Sequence, residues 1–420
     1  MKKQIIGMAA LGLMMAAPAL ADENVTSKFK LSLGGFVKLD YANNSEKIGP
    51  LAPASGAIPK TTVANSAGTQ SESVFTARQS RLWLKSSGPD LFGGKTGAMI
   101  EGDFYGDLSG ATEAPQLRMR LAYATVDWTN TQVLFGQYWD TFGPMAASTV
   151  DFRQNASFGA PNSPRVPQLR ATQKYNLGES NSITTVLALQ DPTQGEVGAA
   201  AATPGANYEW TNMVNAAGQV MFSSKALGVA PGFYGMSNKP FTVGLFGLYG
   251  SGKIAATPTT GTATTVNLTL PSWGYGAYAF LPILKSSDGK SRANTASLEA
   301  QIAMASNMPF NNGTANQLMA GGKAGAKGYN FDVELKAYAT QDLGMTFGYG
   351  RRGVLNAGFY SATDNAAGNQ QFGYNIYGNV SYDLNAAVRV ATEYEYLRTG
   401  YIDNSFGQSH TLRAAVYYFF

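Results

Sequence analysis

The chain contains no cysteine, a single histidine (His410), and only 14% charged residues among its 420. Without thiols it can form neither disulfides nor thiolate metal sites. The lone histidine has no positioned acid-base partner in the pattern around it, so catalytic, metal and cofactor sites are all expected to be absent. Glycine is so abundant (48 residues) that Gly-X-Gly patterns arise without any strand-to-helix context, and they carry no nucleotide signal. Formal net charge is +4, and +2 once Lys2 and Lys3 are set aside, too little to imply nucleic acid as a partner. Long apolar runs are missing as well. Mean hydropathy is −0.14, and the run from Ile5 to Ala17 falls short of the ~20 residues a spanning helix needs.

That run follows Lys2 and Lys3 and precedes Ala19-Leu20-Ala21, the three parts of a secretory signal peptide. Residues 1–21 are therefore expected to be removed on export, leaving 22–420 as one body. What this body has in quantity is aromatic residues, 22 Tyr, 22 Phe and 5 Trp, at low charge. Such a composition suits a sheet with one face in lipid. The local pattern agrees: in KLSLGGFVKLDY, Leu31, Leu33, Val37 and Leu39 alternate with Ser32, Gly34, Lys38 and Asp40. Period two with one apolar face is the mark of a half-buried strand. The same reading places Arg81 and Lys85, then Glu101 and Asp103, on the polar face. Arg78 falls out of phase with Arg81, which requires a bulge or a rim position between them. In LRMRLAYATVDW it predicts Leu117, Met119, Leu121 and Tyr123 on the apolar face, with Arg118, Arg120, Ala122 and Ala124 opposite. Asp332, Glu334 and Lys336 share a face further on, as do Arg389, Glu393 and Glu395, with Arg413 facing inward beside them in a predicted ion-pair ladder. His410 falls on the lipid-facing phase.

About sixteen such segments are predicted, joined alternately by short turns and long loops. The expected fold is all-β: a closed transmembrane antiparallel barrel with long extracellular loops and short periplasmic turns. Its charged face could not form a dry core and must line water. Tyr41, Phe104, Trp128, Tyr175, Tyr249, Tyr394 and Tyr396 gather near strand ends, as interfacial aromatic girdles do. A barrel this wide leaves an aqueous channel unless something plugs it.

One connection differs from the rest. Between strands predicted at Gln132 to Asp140 and Gln168 to Leu177, residues 141–167 lack any regular period yet carry Phe142, Phe152 and Phe158, four prolines, and Asp151, Arg153 and Arg165. Long connections of this kind are usually functional or disordered. The expectation is that it folds into the barrel and narrows it. That would bring Asp151, Arg153 and Arg165 opposite the wall residues Arg81, Arg118, Arg120 and Arg170, with Glu101 and Asp103 nearby. Guanidinium groups remain charged and bind carboxylate or phosphate bidentately, so such a row favours anions. If Glu101, Asp103, Asp140 and Asp151 pair with these arginines, the lumen is balanced instead.

These residues resemble the Gram-negative porins. Ser80-Arg81-Leu82-Trp83-Leu84-Lys85 through Asp90-Leu91 to Gly97 looks like the second and third strands of general porins. Gly136-Gln137 with Trp139, Thr141 and Phe142, then Thr149 with Asp151-Phe152, and Arg165 with Pro167-Gln168 and Arg170, look like the DcaP-like porins, over about Phe75 to Tyr175. The closing AAVYYFF is similar to the last strand of Gram-negative outer-membrane proteins. The resemblance implies a homotrimer in the outer membrane, in contact with its lipid and lipopolysaccharide. It also implies a constriction loop after the fifth strand and passive diffusion of small hydrophilic solutes, organic acids among them. DcaP-like porins carry a helical segment before the barrel, where this chain has only Asp22 to Ser27. A non-conducting barrel serving as adhesin, structural protein or sheath for a partner is the alternative.

Overall fold

A computed structural model of the chain describes residues 29–46, 58, 71–106, 115–150, 157–159, 165–191, 214–256, 266–306, 327–355 and 370–420. The predicted leader and the site candidates Asp151 and Arg153 lie outside these residues. The strands are β1 (Lys30–Asn44), β2 (Glu72–Thr76), β3 (Arg81–Ser87), β4 (Lys95–Asp103), β5 (Arg118–Asp127), β6 (Thr131–Trp139), β7 (Arg165–Leu177), β8 (Asn181–Gln190) and β9 (Asn215–Pro231). They continue with β10 (Asn238–Ala256), β11 (Val266–Leu284), β12 (Thr295–Ser306), β13 (Lys327–Tyr338), β14 (Leu343–Val354), β15 (Gln370–Asp383), β16 (Val388–Tyr401) and β17 (Phe406–Phe419).

From β3 onward each strand pairs antiparallel with the next, and β1 pairs with β17, so the sheet closes. β2 and β3 both pair with β1, end to end, and together occupy one position in the wall. Seventeen segments thus make a sixteen-strand barrel. The interruption at 77–80 contains Arg78 and is the irregularity that the phase of Arg78 and Arg81 demands. The chain ends lock the seam: Gly35 and Phe420 exchange backbone hydrogen bonds at 3.1 and 3.2 Å. The segment broken by Pro271 and Pro282 forms a single strand, β11.

The alternation read from the sequence sorts by exposure. Leu31, Leu33, Val37 and Leu39 are 41–69% exposed on the outside, whereas Lys38, between them, is fully buried on the inside. Phe331 and Leu335 face out, while Asp332, Glu334 and Lys336 face in and are buried. An apolar exterior with every backbone group paired around a ring is what hydrocarbon requires of a sheet.

One predicted phase is corrected. Glu101 on β4 stands opposite Leu121 on β5, and Gly102 stands opposite Met119, so Arg120 has no partner across the ladder. This β-bulge reverses the phase beyond it. Leu121 and Tyr123 therefore face inward and Ala122 and Ala124 outward, opposite to the prediction, and Arg118 and Arg120 both reach the interior.

Candidate functional site in the barrel lumen

The described residues of the connection after β6, the fifth strand position, 140–150 and 157–159, lie inside the barrel against its inner wall. Its root is set by Asp140, whose carboxylate accepts the Phe142 N–H at 2.9 Å and Gln190 Nε2 at 2.6 Å. Gln219 Nε2 then donates to the Thr141 carbonyl at 2.6 Å, and Phe142 packs edge-on against Phe246 at 5.0 Å. The Met145 N–H donates to Gln301 at 3.0 Å, the Ser148 N–H to Glu334 at 2.5 Å, and the Val150 N–H to Glu393 at 2.7 Å. Asn379 Nδ2 donates to the Ser148 carbonyl and Lys38 Nζ to that of Val150, both at 2.7 Å. In chain order the segment thus touches β8, β9, β10, β12, β13, β15, β16 and β1. At 157–159 it is back against β14 and β15. There the Phe158 N–H donates to Asn375 at 2.9 Å, and Gly159 lies so close to the Phe331 carbonyl that a Cβ would collide with it.

Across from this segment, on β3 to β7, is a cluster of guanidinium groups. Arg120 Nε binds Glu101 at 2.6 Å and its Nη1 binds Asp103 at 3.0 Å. Arg118 holds Asp103 bidentately at 2.9 and 2.8 Å, and Arg81 lies 3.7 Å from Glu101. Arg120 and Arg165 both sit over the Trp139 ring, 5.5 and 5.2 Å from its centroid, and Arg170 sits over Tyr138 at 5.6 Å. Among the described residues no carboxylate pairs with Arg165 or Arg170. Five cations therefore share two carboxylates on this wall.

On the facing wall, Glu299, Asp332, Glu334, Glu393 and Glu395 are set against Lys239, Lys336 and Arg413. Lys336 bridges Glu299 and Glu334, Lys239 reaches Glu299 at 3.1 Å, and Arg413 binds Glu393 and Glu395 at 2.8 and 2.6 Å. This is the predicted ladder, with one change: Arg389 pairs with Asp383 instead. Asp140, a possible partner for the arginines in the balanced reading of the sequence, is taken up by the loop root.

The two walls differ in what a solute can reach. The side chains of Arg81 and Arg118 keep 17% and 31% of their exposure, while those of Glu299, Glu334, Glu393 and Glu395 keep 2% or less. Two of these carboxylates lie beneath the inner loop and accept its N–H groups, which disperse their charge as any charge-assisted hydrogen bond does. Sequence periodicity found Arg81, Arg118, Arg120 and Arg170, whereas Arg165, expected in the loop opposite them, is the first residue of β7 and shares the Trp139 ring with Arg120. Periodicity missed Trp139 and Tyr138 as the platforms beneath them and Lys38, Gln301, Asn375 and Asn379 as anchors of the loop, because these pairings join residues far apart in the chain. Among the described residues no group of His, Asp or Glu converges to hold a metal ion.

No protein-family model matches the sequence, and no curated protein is detectably similar to it. Solved structures are. The outer-membrane channel DcaP of Acinetobacter baumannii superposes with a TM-score of 0.66 over 94% of this chain and 98% of its own, at 18% identity. The fold is that of the outer-membrane porins. OprB of Pseudomonas putida superposes at 0.56 over 95% and 96% of the two chains (11% identity), and an anion-selective porin of Comamonas acidovorans at 0.52 over 93% and 100% (12% identity). At such identities the likeness speaks for the fold alone and leaves the solute open.

Proposed function

We propose that this protein is an outer-membrane porin through which small hydrophilic solutes diffuse passively, with a preference for anions such as organic acids. The observation that carries the reading is the unequal access of the two walls. Glu334 and Glu393 lie under the inner loop and accept its N–H groups, and Glu299 and Glu395 are buried in ion pairs, so the charge left facing water is that of cations, Arg81, Arg118 and Lys239. Cation rings at a constriction select anions. On this reading Arg81, Arg118, Arg120, Arg165 and Arg170 line the eyelet together with Glu101 and Asp103. Asp151 and Arg153 are assigned to it from their place in the loop sequence. Export with loss of residues 1–21, assembly as a homotrimer, and contact with lipopolysaccharide belong to the same proposal.

The test is the reversal potential of the purified protein in a planar bilayer under a KCl gradient. A chloride-selective value is expected; a cation-selective one overturns the anion preference. Complete absence of current would favour the non-conducting barrel.

A further inference from the structure

The inner loop is not the only chain segment that enters the lumen. The pairing of β9 with β8 ends at Ser224↔Asn181, and that of β10 with β11 begins only at Thr242↔Phe280. Between those points β9 and β10 remain paired to each other, from Val229↔Pro240 to Pro231↔Asn238, beyond an irregularity that spans 225–228 on β9. Residues 225–241 are thus a two-strand ribbon that leaves the strand ladder on both sides, held at its base by the Lys225 N–H donating to the Ser180 carbonyl and the Ser286 N–H to that of Val229, each at 2.8 Å.

Its direction follows from its contacts. The Pro231 carbonyl accepts Ser297 Oγ at 2.9 Å. Ser297 stands opposite Lys336 on the inward face of β12, three strand positions from β9. Strands in a wall lie ~4.8 Å apart, so had β9 stayed in the wall, Pro231 would be about 14 Å away. The ribbon must therefore fold over the inner face. Lys239 Nζ, on its return limb, reaches Glu299, and Asn238 Nδ2 donates to the Gly289 carbonyl in the turn before β12 at 3.0 Å.

At the tip, Phe233–Gly235 form a single 3-10 turn. Tyr234 has φ +49°, a conformation bulky residues rarely adopt unless their surroundings impose it. Gly235 (φ +65°) lies against the Tyr338 hydroxyl, where any side chain would collide. The Tyr234 hydroxyl donates to the carbonyl of Thr149 in the inner loop, and the Phe233 ring packs edge-on against Tyr234 at 4.1 Å.

Building on the porin reading, we propose that ribbon 225–241 is a second narrowing element, entering from the periplasmic, short-turn end, and that Tyr234 is its size-determining residue. The inner loop narrows the lumen along one wall; the ribbon tip meets it at Thr149 and closes part of the remaining width with two aromatic rings. The same hydroxyl braces the loop from below. A solute that has passed the arginines must then pass the edge of Tyr234.

Single-channel recordings test this, with heat-modifiable mobility on gels as the check that each barrel has folded. Tyr234→Ala is expected to raise conductance by about twofold, as widening a constriction does. Tyr234→Phe keeps the ring and loses the donor, so it is expected to hold the mean conductance while increasing current fluctuation as the loop is released. Because the chain has no native thiol, Tyr234→Cys provides an independent measurement: a negatively charged methanethiosulfonate added from the periplasmic side is expected to reduce the current. A folded Tyr234→Ala barrel with wild-type conductance, or a labelled Tyr234→Cys channel with unchanged current, overturns the inference while leaving the porin reading intact. A wild-type barrel and a Tyr234→Ala barrel that both carry no current overturn the two together.

Discussion

Side chains that look alike in the arginine cluster differ in what holds them. Arg120 binds both carboxylates of its wall, and Arg165 binds neither. Arg120→Ala is expected to leave Glu101 and Asp103 short of a partner and to cost about 3–5 kcal/mol in denaturant unfolding, as removing one member of a buried ion pair does. Arg165→Ala loses only its contact with Trp139, worth about 0.5–1 kcal/mol, yet is expected to move the reversal potential toward zero. Equal stability losses in the two variants would contradict this division. Asp140 offers a second handle at this scale. Burial at the loop root, just past the end of β6, raises its carboxyl to about 6. The folded chain therefore binds that proton more tightly than the unfolded chain does, and stability should increase as pH falls from about 6 toward 4 and be lost again as pH rises. A gain of the order of 1–2 kcal/mol is expected, visible as greater protease resistance of the loop at pH 5 than at pH 8 and abolished in Asp140→Asn.

Among elements, the inner loop depends on wall carboxylates for its course. Glu334→Ala with Glu393→Ala removes the acceptors of the Ser148 and Val150 N–H groups, and an unmade bond at a buried donor costs about 1–3 kcal/mol. Larger current noise with an intact barrel is the expected outcome; a quiet channel would argue that packing alone holds the loop. The strands were legible in the sequence wherever period two ran without interruption, as in β1 and β13. The exception is β5. There one unpaired residue, Arg120, reversed the facing of Leu121 and Tyr123, and nothing in the apolar pattern marks a bulge when residues on both sides of it are apolar. The constriction loop could be recognised by its length and composition, but its path could not, since Lys38, Gln301, Glu393 and Asn375 are brought to it by barrel closure and not by proximity in the chain. The ribbon around Pro231 and Pro240 was not legible for a similar reason: what carries it inward is its hold on Ser297 and Tyr338, strands away.

For the whole molecule, arginines accessible on one wall and buried carboxylates on the other set a field across the passage, and its reach depends on salt. The screening length is about 10 Å at 0.1 M and about 3 Å at 1 M ionic strength. Anion preference measured by reversal potential is accordingly expected to weaken between those concentrations, while conductance itself rises. A preference independent of salt would point to close-range binding sites in place of a field.

The seam between β1 and β17 has a consequence for biogenesis. It joins the first described strand to the last, with the backbone of Phe420 itself bonded to Gly35, so the ring closes through contacts between residues far apart in the chain, and contacts of that kind form slowly. Until the final residue has been synthesised and delivered, two raw ladder edges stay open to any neighbouring strand. On the proposed reading the exported chain reaches the membrane with its ring unclosed, and shortening it by a few C-terminal residues is expected to leave aggregates in place of a leaky pore.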